Sequence, residues 1–130
     1  MAEQTAPTNA VAISVIGGIL YLIVGVFDIQ SIIHYLSIIG TRYLSQTLIW
    51  HGIEGIIFGI TIIVSAYIAY SRPSYHTKAG IAIIVVVLVS LLLNNLQDIF
   101  IITGLIGIIG GVFMIVWKPP TIVGEVKKPE

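Results

Sequence analysis

The sequence contains no cysteine. Disulfides, thiolate metal sites and a cysteine nucleophile are thereby excluded, and the redox compartment is unreadable. Charge is almost as scarce. Only 9% of the 130 residues are Asp, Glu, Lys or Arg, against about 25% in a typical soluble domain. The formal net charge is zero, so there is no basic footprint for nucleic acid. Serine-nucleophile, phosphate-loop and redox motifs are missing as well. So is a secretory signal. The N-terminus "MAEQTAPTNA" carries Glu3 and no Lys or Arg, and "FDIQSIIHY", which follows the first apolar run, offers no small-residue cleavage site. The first helix is therefore expected to be retained.

What fills the chain is apolar. Hydrophobic residues make up 57% of it, 28 of them isoleucine, and the mean hydropathy is +1.06. Four long runs account for this: Val11–Phe27, Leu48–Tyr70, Ala79–Leu93 and Ile99–Trp117. A bilayer core about 30 Å thick needs roughly 20 helical residues to cross it. The runs are continuous rather than alternating, which favours helices over a barrel. They lack the polar outer faces that a water-soluble bundle needs. The expected fold is all-α: an integral membrane bundle of four transmembrane helices, with sequential helices as antiparallel neighbours. It is a single membrane domain over 1–130, with helices about 10–39, 45–71, 78–96 and 99–117 and short polar tails at 1–9 and 118–130.

Punctuation supports those limits. In "DIQSIIHYLSIIG" Ile29, Ile32, Ile33, Leu36 and Ile39 fall at helical spacing, an amphipathic extension of the first helix or a short helix lying on the surface. Nothing between Phe27 and Gln30 breaks a helix, which favours the extension. Pro73 in "SRPSYHTK" stops the second helix by disfavouring helical geometry at Arg72. "KPP" after Trp117 stops the fourth, with Lys118 offsetting its dipole. With four spans, Arg72, Lys78, Lys118, Lys127 and Lys128 share one side and Arg42 is alone on the other. The positive-inside rule then places both termini in the cytoplasm. Asp28, His34, Arg42, His51, Glu54 and Asp98 lie toward the outer half.

Two patterns are candidate sites. Small residues let helix backbones approach closely in lipid. Gly52, Gly55 and Gly59 sit on the second helix, and Gly107 and Gly111 on the fourth. They read either as packing inside the bundle or as a seam for a partner chain. On the third helix Val85–Val87 are expected on a looser, outer face. The second pattern is His51 with Glu54. Residues i and i+3 share one side of a helix, and Glu54 lies about 9 Å into its apolar run. An intramembrane charge costs about 2.5–3.5 kcal/mol at the bilayer centre. Glu54 is therefore expected to be buried and hydrogen-bonded, with His51, Arg42, Asn94, Asn95 or Gln97 as partner. A proton relay is the functional reading of the pair, and a polar contact that fixes helix order is the structural one. No second His–carboxylate pair exists to complete a metal site. No cofactor, no metal and no enzymatic activity are expected.

The stretch "GIIFGITIIVSAYIAYSRPSYHTKAGIAIIVVVLVSLL" followed by "GLIGIIGGVFMIVWKPP" resembles a group of small, mostly archaeal four-helix membrane proteins of unassigned function. Their last helix is Gly-rich and closes on "WKPP". The resemblance spans about Gly55 to Pro120. It implies the topology and an archaeal source, and it carries over no functional residue. Three functions stay open. One is an accessory or structural subunit of a larger complex in the cell membrane, with lipid and other membrane subunits as partners, such as a respiratory or other energy-transducing assembly. Another is a lipid-associated shell protein of an archaeal virus or vesicle. The third is a small proton or ion transporter using Glu54.

Overall fold

The computed structural model describes residues 6–39, 46–93 and 98–119, with backbone only at 35, 36, 39, 46–49 and 98–100. Among the described residues the chain is all-helical, with no strand. Helix α1 spans Thr8–Ile39, α2 Gln46–Ser71, α3 His76–Leu93 and α4 Asp98–Val116.

Helix ends follow local chemistry. Helix α1 begins at Thr8, two residues before the expected start, because the Pro7 carbonyl already accepts the Val11 N–H at 2.9 Å. Pro just ahead of the first turn costs nothing there, since its missing N–H has no intrahelical acceptor anyway. The helix then runs unbroken for 32 residues, about 48 Å at 1.5 Å per residue, so the extension beyond Phe27 is real. Helix α2 closes with the Arg72 N–H donating to the Ile68 carbonyl at 2.8 Å. Arg72 is extended (φ −132°, ψ 83°), as a residue before proline must be. A single 3₁₀ turn, Pro73–Tyr75, then leads straight into α3. This is why α3 starts at His76 and not at 78. Arg42, Asn94, Asn95 and Gln97 lie outside the described residues, as do Lys127 and Lys128.

The helices form a ring. Helix α1 packs on α2 and α4, and α3 packs on α2 and α4. The α1–α2 seam is the most extensive, and glycines set its spacing. A Cβ added at Gly55 would stand 2.8 Å from Gly25 Cα, and one at Gly59 would stand 2.7 Å from the Gly18 carbonyl oxygen. At Gly52 it would meet the Ile29 side chain at 2.7 Å. The other two glycines singled out in the sequence also meet the chain's own helices. Gly107 faces Gly17 of α1 and Val87 of α3, and Gly111 faces the Gly80 carbonyl.

Tyr21, Ile62, Ile83, Val87 and Met114 fill the centre. The buried position of Val87 corrects the outward face expected for Val85–Val87. Val85 is exposed and Val86 half-buried, but Val87 drops into the notch left by Gly104 and Gly107. One face of a helix holds only part of a three-residue run, so the three valines could not share an environment. Outside, large apolar side chains are exposed all round, among them Ile57, Ile60 and Val64 on α2, Ile81 and Leu88 on α3, and Leu105 and Ile109 on α4. Three stretches are long and apolar enough to cross a membrane: Thr8–His34, Trp50–Ser71 and Pro73–Leu93. The apolar part of α4, Ile101–Val116, is shorter.

Gly59→Leu is expected to lower bundle stability by about 3 kcal/mol or more, because a side chain is forced into backbone. Val85→Leu should stay within about 0.5 kcal/mol. SDS-titrated unfolding of the purified protein checks both, and equal tolerance would show that the seam is not tightly closed.

Candidate functional site

The glycine contacts fix which residues lie level with one another. Gly25 sits against Gly52, Gly55 and Ile56 of α2, while Gly17 sits against Gly107 of α4. Polar side chains fall into three layers on that frame.

The layer at one end holds the titratable groups. Asp28, one turn beyond Gly25, comes level with His51, and the two interact electrostatically across the α1–α2 seam. Both are half-buried. Glu54 lies one turn further in. It too is half-buried, but its Oε2 is buried and has no hydrogen-bond partner among the described residues. Arg42, Asn94, Asn95 and Gln97, four of the five partners expected for Glu54, lie outside the described residues. Trp50 and His51 lie one turn before it on α2 and Ile57 and Phe58 one turn after, and α1 presents glycine backbone to this stretch. His51 and Glu54 share a side of α2 as expected, but the cross-helix partner that the structure gives His51 is Asp28. His34 is exposed further along α1, beside an open groove of about 590 Å³ lined by Phe27, Gln30, Ser31 and Ile33. Among the described residues no three His, Asp or Glu side chains group closely enough to hold a metal ion.

The middle layer was not anticipated. Tyr21 of α1, Ser90 of α3 and Thr103 of α4 are all buried, and the Ser90 and Thr103 hydroxyls are polar neighbours of the Tyr21 hydroxyl. Gly104 makes room for the phenol: a Cβ there would stand 3.4 Å from Tyr21 Oη. Ser14, also buried, fits against Gly110 toward the opposite end. A signal did exist in the sequence. Ser90 is the single polar residue of "IAIIVVVLVSLLL", and Thr103 is the single polar residue of "FIITGLIGIIGG". Lone hydroxyls in apolar helices bond across to a neighbour, because lipid offers no alternative.

At the other end His76 ties α3 to α4. Its Nδ1–H donates to the Met114 carbonyl at 2.6 Å. The ring also packs edge-on to Trp117, with centroids 5.0 Å apart and planes at 77°. Lys78 lies over the Tyr75 ring, its Nζ 5.3 Å from the centroid.

Four helices, three of them long and apolar enough to span a bilayer, with hydroxyls inside and branched apolar side chains outside, define a small helical membrane protein. The chain belongs to DUF6114, a family of unknown function whose sequence profile covers residues 4–118. No curated protein and no solved structure matches it.

The middle layer yields a test. In a double-mutant cycle of Tyr21→Phe with Thr103→Val, a coupling of about 0.6 kcal/mol is expected, the average for interhelical polar pairs in a membrane bundle. Unfolding free energies of the four proteins measure it, and additive losses would mean that the two hydroxyls do not share a bond.

Proposed function

We propose that this chain is a non-catalytic, multi-pass subunit of the cell membrane that acts by packing within a larger membrane complex. The observation that carries this reading is how the interior is used. Backbones meet at glycines on the α1–α2, α1–α4 and α3–α4 seams, and the hydroxyls of three helices converge on one another. That interior is spent on holding helices together, and the open groove beside His34 lies at one end of the bundle. Bound lipid and neighbouring subunits then meet the broad apolar exterior.

The reading includes four spans, with α4 crossing alongside the three longer helices, and an antiparallel order around the ring. The register supports the order: along α1, Gly18 and then Gly25 meet Gly59 and then Gly52 of α2. Both termini lie in the cytoplasm in this reading. That is supported by the five Lys and Arg residues on the predicted inner side against Arg42 alone, of which Arg72, Lys78 and Lys118 are exposed. The isoleucine content supports an archaeal source.

A second reading, proton or ion handling by Glu54, is favoured by one observation. Among the described residues the buried Glu54 Oε2 has no donor, and a buried carboxyl oxygen in that position calls for an explanation. Transport is one, and a donor from a partner subunit or from the chain's remaining residues is the other.

Two outcomes are expected. First, cysteines placed at Ser74 and at Ser37 should label from opposite sides of sealed vesicles, and labelling of both from one side would refute the topology. Second, isolation from native membranes should recover the chain with other proteins at about one copy per complex. A lattice of identical copies would instead indicate a shell. Recovery of the chain always alone, with proton flux in liposomes that Glu54→Gln abolishes, would indicate a transporter.

A further inference from the structure

The end of the bundle where α2, α3 and α4 meet carries a pocket of about 280 Å³ lined by Pro73, Ser74, His76, Trp117 and Pro119. Small-molecule sites run from about 300 Å³ upward, so the pocket suits a headgroup rather than a whole lipid. Its walls are fixed. His76 is pinned by its bond to the Met114 carbonyl and by the Trp117 edge, and Pro73 and Pro119 have no freedom at φ.

The charge around it has one sign. Arg72 directly precedes the lining residue Pro73, Lys118 sits between the lining residues Trp117 and Pro119, and Lys78 lies two residues beyond His76. All three are exposed. Among the described residues no carboxylate lies at this end. Asp28, Glu54 and Asp98 belong to the opposite end, because Asp98 opens α4 while Trp117 follows its last turn, and Asp28 and Glu54 lie level with Gly25 rather than with the α2–α3 turn. Three cations thus stand within two residues of the pocket's wall, which is made by a serine, an imidazole, an indole and two prolines.

Position completes the case. The pocket sits where three apolar helices end, with Tyr75 and Trp117 at the same level. That is the depth at which interfacial aromatics anchor a membrane protein among headgroups. Basic pockets between helix ends at this depth attract anionic lipid. We infer that this pocket binds the phosphate-bearing headgroup of an anionic phospholipid from the surrounding leaflet, with Arg72, Lys78 and Lys118 as its counter-charges and Trp117 against the headgroup. The acyl chains then run down the exposed apolar face of the bundle. This inference does not depend on whether the chain works within a complex.

Tryptophan quenching tests it. Trp50 is 59% exposed, so Trp50→Phe is tolerated and leaves Trp117 as the one tryptophan. The full chain is reconstituted in phosphatidylcholine bilayers, with bromine-labelled phosphatidylglycerol or bromine-labelled phosphatidylcholine as quencher. At Trp117, phosphatidylglycerol is expected to outcompete phosphatidylcholine by roughly tenfold or more, since each basic residue near an anionic surface contributes about fivefold. Arg72→Gln, Lys78→Gln and Lys118→Gln together should bring the ratio close to one. All three side chains are exposed, so the fold is not at risk. In the converse protein, Trp117→Phe, the remaining Trp50 should show no such preference. Equal quenching by the two lipids at Trp117 would overturn the proposal. So would a preference that survives the triple substitution, or one that millimolar inorganic phosphate abolishes, which would make this a site for a free anion.

Discussion

Close backbone approach between α1 and α2 is the constraint on which the rest depends. In lipid, helices gain nothing by hiding apolar side chains from one another, because the acyl chains are just as apolar. Dispersion contacts and hydrogen bonds must hold the bundle, and both require short distances. Gly18 and Gly25 on one helix and Gly52, Gly55 and Gly59 on the other supply that distance. The same seam sets the register. It places Asp28 level with His51, and it holds α1 in the orientation that turns Tyr21 inward, toward Ser90 and Thr103.

Polarity is sorted by depth, as desolvation requires. Neutral hydroxyls occupy the middle, where a charge costs most. Titratable Asp28, His51 and Glu54 gather toward one end, and the cations Arg72, Lys78 and Lys118 toward the other. Each end therefore offers a different chemistry from one small fold. One end gathers an imidazole with two carboxyls. The cationic end, framed by Tyr75 and Trp117, faces phosphate.

Much of the fold was legible in the sequence because its signals are local. Four apolar runs mark the helices, Pro73 stops α2, and the glycine clusters on α2 and α4 lie where helices touch. The centre was less legible. Tyr21, Ser90 and Thr103 come from three helices, and no spacing within one segment reveals that they converge. Val87 looked like its neighbours Val85 and Val86, and only the notch at Gly104 and Gly107 on α4 separates it from them. His76 read as loop, because its partner, the Met114 carbonyl, lies 38 residues away. For Glu54 the cost of burial was readable from depth alone. The partner was not, because a partner depends on which helix faces it.

The most direct test of the central claim is whether these glycines meet within one chain, in lipid. Solid-state NMR on protein carrying ¹³Cα label at glycine alone, reconstituted in bilayers, reports this as Cα–Cα cross-peaks. Peaks joining Gly25 with Gly55 and Gly17 with Gly107 are expected, and they should persist when labelled chains are diluted into unlabelled ones. Their disappearance on dilution would mean that the glycines face a second copy, and that the bundle described here is not the packed unit.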